Sequence, residues 1–242
     1  MRNAITFVMV AAAAAGSAAC VRADGEPGPT ISRAFPVGQF QRIEVSGPYE
    51  VNVATGQAPS VKATGNQKMI DHMVVEIEGG TLKIHPEKRG GFHMGWSNNR
   101  NGNARVTVTA QALDGAAIAG SGALAIDRIA GDSFEGSVAG SGDLRLANVD
   151  VQKLKMAIGG SGSIEAAGRA RDANYAIGGS GDIRAAKLAA QTAKVSIGGS
   201  GNIAGNASET AKVSIAGSGN VNITGGAKCE VSKAGSGDVS CS

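Results

Sequence analysis

Seven serines invite the first chemical reading of this chain. Ser121, Ser141, Ser161, Ser180, Ser200, Ser218 and Ser236 each stand between two glycines, in the phrase small-Gly-Ser-Gly-x-aliphatic. A serine raised on a sharp turn could act as a nucleophile. The nucleophile elbow, however, places glycine two residues to either side of its serine, and here the glycines are adjacent. Catalysis also needs one serine with a dedicated base, and no histidine follows His93. Seven equivalent serines without a partner read as structure.

Other chemistries can be weighed the same way. Gly178-Gly179-Ser180-Gly181-Asp182 is close to the calcium-binding Gly-Gly-x-Gly-x-Asp phrase. The aspartate comes one residue early, and that motif recurs at a period of about nine. Two residues after each serine stand Ala123, Asp143, Ser163, Asp182, Asn202, Asn220 and Asp238. Those supply few charges, whereas calcium takes about six to eight oxygens, so a ladder of polar turn residues is expected. The histidines His72, His85 and His93 lie 13 and 8 residues apart, which fits no zinc template. Asp132, Glu135, Asp143, Asp150, Glu165 and Asp182 could offer the carboxylate pair of a glycoside hydrolase. They are scattered through the repeats among ordinary cations such as Arg145 and Lys153, as on a solvated face. The expectation is a non-enzymatic protein without metal or cofactor. A polysaccharide-active β-helix enzyme, lyase or hydrolase, is the alternative.

The element that positions the serines is a repeat. Their spacings are 20, 20, 19, 20, 18 and 18 residues, the mark of a solenoid in which each repeat is one coil. Three residues before the serines stand Ile118, Val138, Ile158, Ile177, Ile197 and Ile215. Three after stand Leu124, Leu144, Ile164, Ile183, Ile203, Val221 and Val239, and the columns five residues either side are also largely apolar. A period of two on each side of a glycine bend predicts two short strands per repeat. Stacked in parallel at about 4.8 Å, seven coils make a prism on the order of 30 Å long. The fold class is therefore all-β, a parallel β-helix or β-solenoid of 18–20 residues per coil, with right-handed crossovers expected. The open end coils need caps. Lys233 stands where the last repeat should carry its isoleucine.

The rest of the 242 residues divides around this repeat. Residues 1–23 read as an export signal, 24–37 as a linker, 38–110 as an N-terminal β section and 111–242 as the solenoid. The apolar run 4–15 is too short to span a membrane. Cleavage after Ala23 would leave a soluble protein. Ser17-Ala18-Ala19-Cys20 also resembles a lipobox, which would make Cys20 a lipidated first residue attached to a membrane. Either route leaves Cys229 and Cys241 in an oxidising compartment, where a disulfide between them is expected. Both fall in columns held by apolar residues in earlier repeats, so both should point inward and staple the last coil. Without the leader, 21 basic residues face 20 acidic ones, and no basic run interleaved with aromatics argues for nucleic acid. Aromatics are 3% of the chain, so the interior must be built from small aliphatics. Residues 40–53 alternate well, with Val45-Ser46-Gly47 as a degenerate bend. Residues 60–64, 74–84 and 105–109 are further strands, and 68–73 one helical turn. Residues 89–103 form an exposed Gly/Asn-rich loop, in which Phe92, His93, Met94 and Trp96 are the candidate contacts for a partner.

Phe40-x-x-Ile43-x-Val45-Ser46-Gly47, Tyr49-x-Val51-x-Val53, Gly79-Gly80-Thr81-Leu82-Lys83-Ile84 and the Gly-Ser-Gly bends together resemble bacterial head-GIN-domain proteins. The resemblance covers roughly residues 38–240. It implies a β-helical, exported or lipid-anchored envelope protein of adhesin type, periplasmic, outer-membrane or cell-surface, with an envelope glycan or protein as partner. It brings no catalytic residues.

Overall fold

Aliphatic residues alternate with small or polar ones along almost every segment, and that period of two builds strands. The computed structural model describes residues 29–87 and 104–242. The chain begins with β1 (Thr30–Phe35), β2 (Arg42–Ser46), β3 (Glu50–Thr55) and β4 (Ser60–Asn66), followed by one helical turn, α1 (Gln67–Asp71). Next come β5 (Met73–Glu78), β6 (Thr81–Pro86), β7 (Arg105–Ala110), β8 (Gly115–Gly120) and β9 (Ala123–Ile126). Long strands follow that turn corners from one coil into the next: β10 (Ile129–Gly140), β11 (Asp143–Gly160), β12 (Ser163–Gly179), β13 (Asp182–Gly199) and β14 (Asn202–Gly217). The chain ends in β15 (Asn220–Thr224), β16 (Lys228–Ala234) and β17 (Val239–Cys241). All the strands join one sheet wound into a β-solenoid of about six turns.

Each coil carries two in-register parallel ladders, one before the Gly-Ser-Gly bend and one after it. Val138 pairs with Ile118 and Ile158, and Leu144 with Leu124 and Ile164. The apolar columns on either side of the bend are buried from Ile118 to Val221, as the sequence predicts. A fully buried aliphatic of this size contributes about 1.5–3 kcal/mol.

A third ladder is not evident in the sequence. Residues 129–131 pair with 149–151, these with 168–170, and those with 188–190. Register shifts fall between Leu146 and Val149, Glu165 and Ala167, and Arg184 and Ala189. The third side thereby absorbs the variation in repeat length. The bends stay aligned although one repeat has 19 residues and two have 18.

The N-terminal coils join the same ladder in an order the sequence does not announce. β2 lies between β6 and β8, and β3 between β7 and β9. The chain thus starts in the second coil, builds the outermost coil, and steps back across residues 111–114. Asp114 N–H donates to Gln41 O at 2.9 Å on that return. Ser46-Gly47 is the bend of the second coil, with Gly47 N–H donating to Ala119 O at 3.1 Å.

Beyond the outermost coil the pairing turns antiparallel, β4 on β7, β1 on β4 and β5 on β6. Residues 74–84 are therefore not one strand but the arms of a hairpin, turned at Gly79 and Gly80 with φ of +56° and +76°, as a two-residue hairpin turn demands. Part of the segment expected as linker forms β1. The helical turn is capped by Asn66, whose side chain accepts from Lys68 N–H at 2.9 Å, and it buries Ile70.

At the other end Cys229 and Cys241 are joined, with Cα atoms 6.6 Å apart. They continue the inward columns of Ala211 and Ile223. They point inward as expected, yet Cys229 is only half-buried and Cys241 exposed, because no coil among the described residues lies over them. Val231, in the same coil, is 49% exposed. Lys233 reaches across the final bend, its Nζ donating to Gly237 O at 2.8 Å.

Candidate functional site

The bends come first, because the serines are the most conspicuous residues. From the second bend of the repeat onward, each serine N–H donates to the carbonyl of the glycine preceding the serine one coil below: Ser141 to Gly120, Ser161 to Gly140, Ser180 to Gly160, Ser200 to Gly179 and Ser218 to Gly199 at 2.9 Å, and Ser236 to Gly217 at 3.1 Å. The two glycines have different reasons to be there. Gly140 has φ of +119°, a conformation closed to most side chains. Gly142 has ordinary backbone angles but no room, since a Cβ would lie 2.6 Å from Gly122 O and 2.7 Å from Ile118 Cγ2. The seven serines are exposed, and their hydroxyls make no hydrogen bond among the described residues. Among the described residues no histidine bonds to them: His85 sits on Glu76 at 3.1 Å and His72 on Glu87 at 3.4 Å, in the N-terminal coils.

The column two residues after the serine forms the expected polar ladder. Ser163 Oγ donates to Asp143 at 2.5 Å, Asn202 to Asp182 at 3.0 Å, and Asn220 to Asn202 at 3.1 Å. No three of His, Cys, Asp and Glu come together among the described residues in a way that could hold a metal.

The acids singled out in the sequence are mostly engaged by neighbours one coil away. Glu135 meets Lys155 at 2.7 Å, Asp150 meets Arg169 at 2.7 Å, and Glu165 meets Arg145 at 3.1 Å. Asp182 takes Arg184 of its own strand at 2.9 Å. Hydrogen bonding by Lys155 holds the Glu135 carboxyl below its ordinary range, Arg169 does the same for Asp150, and Arg171 with Thr192 for Asp172. A general acid needs the opposite shift. The buried phenols are pushed upward by desolvation, Tyr49 to about 12 and Tyr175 further, so neither can exchange a proton near neutral pH. Tyr175 also holds its hydroxyl in the interior without a partner among the described residues.

A groove of about 720 Å³ runs along the solenoid axis. Each coil contributes a triplet of an outward, an inward and an outward residue. Ser133-Phe134-Glu135, Lys153-Leu154-Lys155, Asp172-Ala173-Asn174 and Thr192-Ala193-Lys194 lie side by side, with Thr210 and Lys212 beyond. Its N-terminal end is occupied by charge pairs, Arg42 meeting Glu135 at 3.2 Å and Asp114 at 3.4 Å. Toward the other end cations predominate. Lys153 and Lys194 have no ion-pair partner among the described residues, and the groove's remaining acid, Asp172, is taken by Arg171 and Thr192. A smaller hollow, of about 410 Å³, on the ladder after the bend is lined by paired charges such as Arg145 and Glu165.

Cys20, Phe92, His93, Met94 and Trp96 lie outside the described residues. The anchors of the 89–103 segment are placed, however. β6 ends at Pro86 and β7 starts at Arg105, on the two sides of the corner that Gly-Ser-Gly fills in the repeats. Sequence reasoning missed the groove. Its signal was available in charges of opposite sign one repeat apart, such as Glu135 and Lys155, which mark by contrast the cations left unmatched.

Comparison with known proteins adds three findings. The family described as "Putative auto-transporter adhesin, head GIN domain" matches residues 39–227. No curated protein matches the chain. Solved structures share the fold: a "putative adhesin" from Bacteroides fragilis has 22% identity and a TM-score of 0.75, covering 89% of this chain and 98% of that one. A "putative lipid binding protein" from Parabacteroides distasonis has 25% identity, a TM-score of 0.69 and coverage of 89% and 97%. A "putative adhesin" from Parabacteroides merdae has 19% identity, a TM-score of 0.69 and the same coverage.

Proposed function

The chain belongs to the head-GIN-domain family of adhesin type, and on that premise we propose that it is a non-enzymatic, exported envelope protein that presents its solenoid to a glycan or protein partner. The family's adhesin character points to an extracellular or envelope location. One observation above all supports a binding role: Glu135, Asp150 and Glu165 are spent in coil-to-coil ion pairs, and the protonation of Glu135 and Asp150 is held down rather than raised. A hydrolase or lyase would need acids converging on a groove with one kept protonated. The relative from Parabacteroides distasonis that is described as lipid binding suggests another ligand class. In this chain the described interior is filled by side chains such as Phe134, Met156 and Tyr175, which favours a ligand held on the surface.

In this reading the export signal is removed, and Cys20 carries lipid if the lipobox is used. The 89–103 segment, with Phe92, His93, Met94 and Trp96, serves as a contact surface for the partner. Binding of the purified protein to isolated envelope material tests the proposal, and saturable binding is expected. Failure to bind would overturn it. Trp96→Ala should weaken that binding while leaving Tm unchanged, and unchanged binding removes the loop from the contact surface. Mass spectrometry of the mature N-terminus separates a diacylated Cys20 from a free Asp24.

A further inference from the structure

The axial groove combines three features that no bend or paired-charge face shares. It is long, running across five coils, or about 20 Å at the usual strand spacing. Its floor passes over buried inward residues, Leu154, Ala173 and Ala193 among them, between two rows of outward side chains. And four of its five coils set one side-chain donor in the same outward column, Lys155, Asn174, Lys194 and Lys212, while the first sets Glu135.

The ladder explains why these donors align. Residues paired in register on parallel strands point the same way and repeat at one strand spacing. Two of the lysines are held by exposed acids, Lys155 by Glu135 and Lys212 by Glu230 at 3.1 Å. Exposed pairs of this kind are worth little and exchange readily for another anion. Lys194 has no ion-pair partner among the described residues, and Lys153, on the neighbouring column, stands in register beside Asp172, whose carboxylate is already taken by Arg171 and Thr192. An extended pyranose chain advances by about one ring per coil when laid along such a ladder. Each ring would then meet one ammonium or amide. Exposed aromatic platforms, on which neutral sugars usually stack, do not line this groove, so recognition must rest on charge and hydrogen bonds.

We propose that the groove floored by Leu154, Ala173 and Ala193 binds a linear acidic polysaccharide, its carboxylates taken by Lys153, Lys155, Lys194 and Lys212 and a ring hydroxyl by Asn174. This inference rests on the adhesin reading and names its ligand class and its site. Several weak contacts in register give useful avidity to a polymer where a single sugar acid would not be held, and raising salt weakens the complex because the charges are exposed.

The test uses the full chain and three probes: an oligogalacturonate, a neutral linear glucan of equal length, and vesicles of phosphatidylglycerol. Oligogalacturonate should bind and the glucan should not. Lys153→Gln with Lys194→Gln should weaken binding by roughly tenfold or more, as loss of two charge-assisted contacts implies. Arg145→Gln with Arg184→Gln, on the ladder after the bend, should leave it unchanged. If the wild type binds envelope material but ignores oligogalacturonate, or if the lysine variant binds as well as the wild type, the groove assignment falls while the adhesin reading stands. If the wild type binds neither envelope material nor oligogalacturonate, both fall. Preference for the vesicles over the oligosaccharide overturns the glycan assignment in favour of a lipid surface.

Discussion

The two ends of the solenoid face the same problem and meet it by different means. An end coil exposes a row of unpaired backbone groups and an uncovered apolar section. At the N-terminal end, β4, β1 and β5 reverse direction and pair antiparallel on the outermost coil, and α1 lays Ile70 against them, fully buried. At the C-terminal end no element among the described residues is laid over the last coil. The Cys229–Cys241 bond ties its two strands together, and Lys233 enters the isoleucine column where a further coil would stack. Burial closes one end, while a covalent tie and a misplaced charge close the other. Side chains at the first end should therefore carry global stability, whereas those at the second govern fraying and association.

Three experiments can break this contrast. The largest effect is expected from Ile70→Ala, which should cost about 3 kcal/mol in denaturant unfolding because it empties a fully buried site. Val231→Ala, at the open end, should cost no more than a few tenths, since that side chain is already half in solvent. Equal losses would remove the distinction between the ends. Next, replacing both Cys229 and Cys241 by Ser relaxes a loop of sequence separation 12. The chain-entropy model assigns that closure about 3 kcal/mol. The loss should be local: amide exchange should accelerate in β16 and β17 and stay slow in β11 and β12. Acceleration throughout would mean that the staple supports the whole stack. The smallest change in stability, but a visible change in mass, is expected of Lys233→Ile. It restores the apolar column to the end of the prism and should produce concentration-dependent dimers in light scattering. A variant that remains monomeric would show that the lysine does not guard the edge.

How far the molecule could be read from its sequence follows the same division. The bends and the flanking columns were legible because one rigid phrase recurs and each partner residue keeps its offset from the serine. Even the cysteines fell in the right columns, and only their exposure was not legible, since a column says nothing about whether another coil covers it. The third ladder was not legible, because the corner around Val149, Gly168 and Leu188 absorbs the length differences and so keeps no fixed offset. The order of the first coils was hidden for a related reason: β2 pairs with β8 and β6 rather than with its sequence neighbours, and alternation alone cannot reveal which strand lies beside which. The groove lay in between. Outward residues feel no packing constraint and look scattered until Glu135 and Lys155, or Lys212 and Glu230, are aligned by coil.

The account rests on the claim that Gly-Ser-Gly is the corner of a scaffold, with the glycines indispensable and the serine free. Thermal unfolding of Ser141→Ala and Gly142→Ala, with binding to envelope material measured on each, tests it most directly. Ser141→Ala should match the wild type in both, because its hydroxyl faces solvent and only its backbone N–H is used. Gly142→Ala should lose about 3 kcal/mol, as a methyl forced to within 2.6 Å of a carbonyl oxygen and 2.7 Å of a buried isoleucine must displace both. A tolerated alanine at Gly142, or a serine variant that folds normally and no longer binds, would contradict the account.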